Sequence, residues 1–396
     1  MSSKRLLIFL LILACRQDRN PPEVKIINPE NGAVLSGTTR VIVKVKDDEA
    51  LAVADITIDN KVVYVNEELD TIMTYLWDTD QEIEGSHLII GYGRDRSENE
   101  TADTVEVYCG KPPYPDSLIG DISLGSPPRM MVTTDRYLYV AVEGEVLVVD
   151  LDQLQPTTTI GIPAQDLDID NSRGKLYIVG ENKIYTVVTE QNVLADSFSV
   201  AGPFQGCFHS EHRYFLLALG SGGYRNHIHI IDLVEDTILG TTPDSFGIGY
   251  DLGYARGRIF LPDVDFATLW IIDTTNLTIS HIPLDTPPVA IVPATSEREV
   301  YLGGSGVLVV SSEQGAIIDS IPNFSTAYPH GLVISPDGEY LFGVERDVIL
   351  VASVQLRSLL DTVSIPSSPL CAAITPDGQK FLVGSSDGKV YIYQKR

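Results

Sequence analysis

The sequence predicts an all-β protein, in which a small N-terminal β-sandwich precedes a seven-bladed β-propeller closed by its N- and C-terminal strands. Three observations predict this fold class. Val, Ile, Tyr and Thr are abundant, and helical periodicity is hard to find. Gly and Pro punctuate the whole chain. One type of strand ending recurs about every forty residues through the C-terminal part.

Composition narrows the classes of partner. The 396 residues are 44% hydrophobic, which is enough for a real core. The formal net charge is −26. Such a surface repels phosphate backbones, so we expect no nucleic-acid partner.

The N-terminus has the pattern of a secretion signal. Lys4 and Arg5 precede an apolar run over residues 6–14. This run is too short for a membrane-spanning helix, which needs about 20 residues. Residues 12–15, "ILAC", resemble the lipobox of bacterial lipoproteins. The resemblance implies a signal peptide over 1–14.

The same resemblance makes Cys15 the lipidated first residue of a tether over 15–21. Two or three acyl chains would hold the protein firmly at a membrane. By the same resemblance, the presence of Arg16 rather than Asp after the lipidated cysteine implies the outer membrane, rather than the inner one, or the cell surface of a bacterium. The alternative is an ordinary cleaved signal with a stray cysteine.

Residues 22–109 read as six or seven short strands, the pattern of a small sandwich. The phrases "INPENGAVLSG", "WDT", "GSHLI" and "RDRSEN" resemble a bacterial Ig-like surface module. We expect Trp77 in its core, the alternative being a ligand contact. Cys109, Cys207 and Cys371 fit no zinc or redox spacing and are expected to be buried hydrophobes. "GKPPYP" over 110–115 reads as a stiff linker.

From residue 116 to 396 the chain repeats. Seven third strands end alike, as in "VLVVD" and "WIID", and each terminal Asp, Ser or Thr can accept the N–H groups of its turn. A second phrase, as in "LLDTVSIPSSPLCAA", spans an outer strand, a crossing and the next inner strand. The same phrase also occurs at "SLIGDISLGSPPRMMV", where no blade precedes it. We therefore expect 117–124 to pair with the last strand, 389–393, unless it belongs to the sandwich.

"PHGLVISPDGEYLFGV" and "PLCAAITPDGQKFLVG" resemble the YVTN family of seven-bladed propellers, which are related to WD40-like folds. The resemblance covers residues 116–396 and implies the architecture. It says little about function, because this fold hosts many functions.

Alignment of the blades predicts which residues lie at the mouth of the central channel. One imidazole, one guanidinium and two amides form neither an acid–base pair nor a metal cage, so we expect no catalytic residue, metal or cofactor. The predicted residues are Arg129, Gln165, Gln205, Gly249, Val289, His330 and Leu370.

The densest group of possible metal ligands is "CFHSEH" followed by "HIH". We expect Cys207 and His209 on strand three of a blade and His227 and His229 on strand one. With strand two between the pairs, a shared metal is not expected. "DVD" at 263–265 reads as a solvated loop, the alternative being a calcium contact.

Two enlarged loops, 220–226 and 262–268, are expected on the face that carries the blade crossings. Aromatic groups beside Arg on a rim form a common recognition surface, although such rings can also pack loops onto blades. The candidate binding residues are Tyr224, Arg225, Phe266, Tyr328, His330 and Arg129.

The sequence thus predicts a lipid-anchored, monomeric protein of the cell envelope, without a cofactor. Its propeller is expected to be a non-catalytic binding or scaffold module for a protein or glycan. The alternative is a lactonase-like or lyase-like enzyme that acts at the channel mouth.

Overall fold

The computed structural model describes residues 19–35, 38–48, 50–66, 72–110, 114–200, 202–209, 213–218, 226–235, 237–243, 246, 247, 249 and 251–395. The signal peptide and Cys15 therefore lie outside the described residues. Two compact units divide between Lys111 and Pro112. Among the described residues, no helix has the length and apolarity to cross a bilayer.

The N-terminal unit is a sandwich of two sheets, ordered β1-β3-β6 and β2-β8-β7-β4-β5. Its described residues form eight strands, one more than the upper estimate from the sequence. Residues 51–65 form two strands because Asp59 and Asn60 both adopt positive φ, the conformation of a tight hairpin turn. The elements are β1 (Glu23–Asn28), β2 (Val34–Leu35), β3 (Thr38–Lys46), β4 (Leu51–Ile58), β5 (Lys61–Val65), β6 (Ile72–Asp78), a 3-10 turn (Thr79–Gln81), β7 (Gly85–Asp95) and β8 (Glu100–Cys109).

Alternate residues of the sandwich strands face inward and form one apolar core. Val41, Val43 and Val45 of β3 are fully buried. Trp77 is buried as predicted, and its Nε1 donates a hydrogen bond to Glu82 Oε1 at 2.9 Å. Cys109 is a buried free thiol, and burial raises its pKa to about 12.

The C-terminal unit contains seven four-stranded antiparallel sheets, one for each blade. Blade one comprises β10 (Met130–Thr133), β11 (Tyr137–Val142), β12 (Glu145–Asp150) and β13 (Gln155–Ile160), and blade two comprises β14 (Asp166–Asp170), β15 (Lys175–Val179), β16 (Lys183–Val188) and β17 (Val193–Ser199). Blade three comprises β18 (Pro203–His209), β19 (Arg213–Ala218), β20 (His227–Asp232) and β21 (Thr237–Thr241), and blade four comprises β22 (Gly253–Ala255), β23 (Arg258–Asp263), β24 (Thr268–Asp273) and β25 (Ile279–Pro283). Blade five comprises β26 (Ala290–Pro293), β27 (Glu299–Gly303), β28 (Val307–Ser311) and β29 (Ala316–Ile321). Blade six comprises β30 (Leu332–Ile334), β31 (Tyr340–Glu345), β32 (Val348–Ser353) and β33 (Ser358–Ser364). Blade seven comprises β34 (Pro369–Ile374), β35 (Lys380–Ser385), β36 (Lys389–Gln394) and β9 (Ser117–Ser123).

The seven sheets form a closed ring. The first strand of each blade contacts the first strand of the next, and β34 contacts β10. The predicted closure is confirmed, because β9 pairs antiparallel with β36, with Ser123 opposite Lys389 and Ser117 opposite Gln394. The fourth strand of blade seven thus comes from the start of the propeller, and β36 does not expose a bare edge.

Short polar side chains close the turns, as the repeated strand endings predicted. Asp150 Oδ1 accepts the N–H groups of Asp152 and Gln153, each at 2.9 Å. Asp232, Asp273, Ser311 and Ser353 make the same kind of contact in blades three to six. These bonds satisfy N–H groups that the ladder leaves unpaired.

Carboxylates on some of the outer strands also accept backbone N–H groups. Asp196, Asp319 and Asp361 lie on the fourth strands of blades two, five and six, and each accepts the N–H of the next residue at 2.7–2.8 Å. Charged side chains on an outer strand disfavour the addition of a further strand. The repeated Asp of "LADSF", "IIDSI" and "LLDTV" therefore suits the outer strands of the blades.

Tyr114 anchors the start of the propeller unit. The sequence assigned it to the linker 110–115, yet its side chain is 1% exposed. Its ring lies 5.1 Å from the ring of Tyr340, and its hydroxyl donates to Asp361 Oδ2 at 3.3 Å. The chain is thus fixed to blade six immediately before it enters β9.

Candidate functional site on the crossing face

One face of the propeller carries the blade crossings and the enlarged loops that the sequence analysis identified as candidate binding regions. Because the strands of each blade are antiparallel, the crossings between blades and the loops between strands two and three emerge at the same end. We call this end the crossing face. The inner strands start here, at the mouth of the central channel.

Several predicted mouth residues lie at the starts of inner strands. The N–H groups of Arg129, Gln165 and Val289 donate to the facing second strands at 2.7–2.9 Å. Arg129 is exposed. His330 differs, because it adopts a positive φ of 56°, and its carbonyl accepts the N–H of Ala372 in the next blade at 2.9 Å. The backbone of His330 therefore has a conformation that residues other than glycine rarely adopt.

His330 faces a carboxylate that the sequence alignment missed. Its Nδ1 lies 4.0 Å from Asp251 Oδ2, and the two side chains are 18% and 20% exposed. Asp251 accepts the N–H of Leu252 at 2.8 Å. Asp168, on the inner strand of blade two, is near enough for its charge to act on Asp251.

Burial in the channel pushes both groups toward their neutral forms. It raises the pKa of Asp251 to about 7, and the negative charge of Asp168 adds to this rise against the opposing Leu252 hydrogen bond. Burial also lowers the pKa of His330 to about 4. At neutral pH the imidazole is therefore neutral, and Asp251 can exchange a proton.

This finding corrects the expectation that the mouth holds one imidazole and no carboxylate beside it. The alignment chose Gly249 as the blade-four residue, whereas Asp251 lies two residues further along. The inner strand of blade four is only three residues long, Gly253–Ala255, so its entry segment contributes a side chain to the channel. The acidic pattern "DLDID" of β14, an inner strand, could have identified Asp168 as a further carboxylate near the channel.

The rim residues divide into exposed and packed groups. Phe266 is 57% exposed, and Tyr328 is half-buried. Phe246 and Phe324 are buried and pack the crossings onto the blades. These two rings thus have a structural role, which agrees with the alternative that aromatic rings pack the loops onto the blades. Tyr224, Arg225 and Tyr250 lie outside the described residues.

Asp263 fixes the loop that presents Phe266. This buried carboxylate accepts the N–H of Phe266 at 3.2 Å and, with its other oxygen, the N–H of Gly247 and Nε1 of Trp270, each at 2.8 Å. It also accepts the N–H of Asp265 at 3.1 Å. The predicted solvated loop is therefore wrong for Asp263, which joins the loop to the neighbouring crossing. An added Cβ on Gly247 would lie 2.4 Å from Asp263 Oδ1, so this crossing requires glycine.

A pocket of about 340 Å³ lies beside the Phe266 loop. The crossing 283–288 and the residues 302–306 line it, together with Leu308 and Ile317. The N–H of Leu284 donates to the carbonyl of Ala267 at 2.8 Å, which ties the pocket to the Phe266 loop. The loop that carries the exposed Phe266 is thus hydrogen-bonded to one residue of the pocket lining.

The predicted order of the Cys and His pairs in blade three is reversed. Cys207 and His209 lie on β18, the first strand, whereas His227 and His229 lie on β20, the third. β19 lies between these two strands. Cys371 is a buried thiol whose pKa burial raises to about 12.

Comparisons with known proteins support the two folds. Residues 22–89 match the model of the bacterial Ig domain. A chain in the crystal structure of the mitotic checkpoint complex has a TM-score of 0.60 at 15% identity, over 72% of this chain and 94% of that one. At this identity the likeness shows the fold alone. No curated protein matches the chain.

Proposed function

We propose that the propeller is a non-catalytic binding module that takes a protein or glycan on its crossing face. The observation that carries this proposal is the exposed Phe266 ring on a loop that is hydrogen-bonded to the lining of a pocket of about 340 Å³. Aromatic rings next to pockets are common anchors of interfaces. Because Asp263 holds the loop in place, binding would require little ordering of the backbone.

The module would act at the bacterial cell envelope, as a monomer held by a lipid on Cys15. The lipobox-like "ILAC" supports the anchor. The match of residues 22–89 to the bacterial Ig domain supports an extracellular or surface location, with this unit as the spacer. Tyr224, Arg225, Tyr328 and Arg129 belong to the same proposed surface. The YVTN-like turns of blades six and seven fit a propeller of this type.

A second candidate function rests on the channel. Asp251, with a pKa near 7, and the neutral His330 are 4.0 Å apart beneath the mouth. A carboxyl group that titrates near neutral pH suits proton transfer. This pair favours a lactonase-like or lyase-like reaction, with Asp251 moving the proton and His330 orienting the substrate.

One experiment separates the two candidates. The protein, tagged at its C-terminus, is used to capture a partner from solubilised envelope, and the dissociation constant is then measured for variants. In the binding proposal, Phe266→Ala, alone or with Tyr224→Ala, weakens the complex about thirtyfold or more, the effect of losing a hot spot of ~2 kcal/mol. Phe324→Leu, a conservative change inside a packed crossing, is the control.

His330→Ala and Asp251→Asn test the channel. If these changes abolish binding or turnover while Phe266→Ala has no effect, the channel is the site and the rim proposal fails. If neither set changes binding by more than about twofold, the recognition surface lies elsewhere and the proposal is wrong.

A further inference from the structure

Two histidines on the third strand of blade three bring their ring nitrogens together. His227 and His229 are two residues apart on β20, so their side chains share one face of the sheet. Ile228 and Ile230 point the other way into an apolar cluster. The Nε2 atoms of the two histidines lie 3.1 Å apart, and the ring centroids are 4.6 Å apart.

A hydroxyl on the adjacent strand orients one of the rings. His229 Nδ1 lies 2.8 Å from Thr241 Oγ1. If Nδ1–H donates to this oxygen, the lone pair of His229 lies on Nε2 and points at His227. Histidines that bind metals commonly have such a second contact, because it fixes the tautomer and the ring plane.

We infer that His227 and His229 form a binding site for a divalent transition-metal ion of the Cu²⁺ and Zn²⁺ class. Imidazole nitrogen suits these ions, which it binds at about 2.0 Å. Two nitrogens 3.1 Å apart then subtend about 100° at the metal. This angle lies between the square-planar and tetrahedral values. With His227 in the tautomer that carries its proton on Nδ1, both lone pairs converge on the ion.

The strand context makes the pair rigid. β20 is hydrogen-bonded on both sides, with Leu216 and Thr241 opposite His229. No group of three or more metal-binding side chains occurs in the part of the chain that the structure describes. The proposed site is therefore a two-histidine chelate, and water completes the coordination. It is independent of the binding surface proposed for the crossing face.

The test is metal binding by the full-length protein, with CuCl₂ and ZnCl₂ as the probes. Isothermal titration gives the affinity, and the Cu²⁺ electron paramagnetic resonance spectrum counts the coordinated nitrogens. We expect one equivalent of Cu²⁺ bound through two imidazole nitrogens, with Zn²⁺ weaker. His227→Ala and His229→Ala should each weaken binding at least tenfold, and Thr241→Val should weaken it up to about tenfold.

His281→Ala is the matched control, because His281 is an exposed histidine on the fourth strand of blade four. It should bind Cu²⁺ like the wild type. Circular dichroism establishes that each variant is folded, and the milder His229→Gln replaces any variant that is not. The inference is overturned if Cu²⁺ binds through fewer than two nitrogens, or if the His227 and His229 variants bind as tightly as the His281 control.

Discussion

The ammonium group of Lys389 lies 2.8 Å from the carboxylate of Asp121, which joins the last strand of the propeller to its first. Both side chains are more than one-third exposed, so the ion pair itself adds little stability. The backbone ladder between β36 and β9 makes the larger contribution, because it pairs an edge that would otherwise be open.

Removal of β9 should therefore disrupt the propeller. We predict that a chain beginning at Gly125 unfolds at a lower temperature than one beginning at Pro112 and aggregates during refolding. Lys389→Ala in the longer chain should lower the melting temperature much less than removal of β9, because an exposed ion pair adds little stability. Thermal unfolding and light scattering measure the difference. Equal melting temperatures for the two chains would contradict closure by β9.

Tyr114 should stabilise the propeller from outside its strands. Tyr114→Ala removes a buried ring, and we expect it to lower the free energy of unfolding by about 3–5 kcal/mol. Tyr114→Phe keeps the ring packed on Tyr340 and loses only the hydrogen bond to Asp361, so a loss of about 1 kcal/mol is expected. Urea denaturation of the two variants gives both values. Similar losses for both variants would mean that ring burial is not the main contribution.

Asp263 should be intolerant of its isostere. Its four partners are all N–H donors, so the amide of Asp263→Asn would place its own N–H against at least one of them. We expect a loss of about 1–3 kcal/mol in the free energy of unfolding. Hydrogen exchange at Phe266 should also accelerate. Asp273→Asn is a suitable control, because Asp273 caps an exposed turn. Equal exchange rates in Asp263→Asn and wild type would show that the carboxylate does not hold the loop.

The repeats made most of the fold predictable. β9 was found because one phrase of outer strand, crossing and inner strand occurs before any complete blade. The turns followed from strand-end Asp and Ser residues, whose contacts are local in the chain. Tyr114 was missed because a tyrosine among prolines has the composition of a linker, and only the folded ring provides the cavity that buries it.

The candidate site was less predictable, since its side chains meet across the ring. Asp251 and His330 come from blades four and six, and neither has a local pattern that identifies the other. Their proximity depends on the short inner strand of blade four and on the positive φ of His330. Phe266 was chosen from the predicted loop 262–268, but Pro262, Asp263 and Thr268 belong to the ladder of β23 and β24, so the turn covers only 264–267.

The last prediction uses the opposite pKa shifts of the channel pair. Asp251 is raised from 3.8 to about 7, so between these values the folded protein holds a proton that the unfolded chain has released, and stability falls as pH rises. His330 is lowered from 6.5 to about 4, so between those values the unfolded chain holds the extra proton, and stability increases with pH. In the wild type the two effects nearly cancel between about pH 4 and 6.5.

Each single variant should reveal the effect of the remaining partner. Relative to wild type, His330→Gln should lose stability as pH rises from 4.5 to 6.5, whereas Asp251→Asn should gain it. The slope for one proton is at most about 1.4 kcal/mol per pH unit. Urea denaturation at several pH values measures both slopes, with Asp285→Asn on an exposed crossing as the control. Slopes of the same sign in the two channel variants would mean that burial does not hold the pair in its neutral forms, and would remove the basis for proton transfer in the channel.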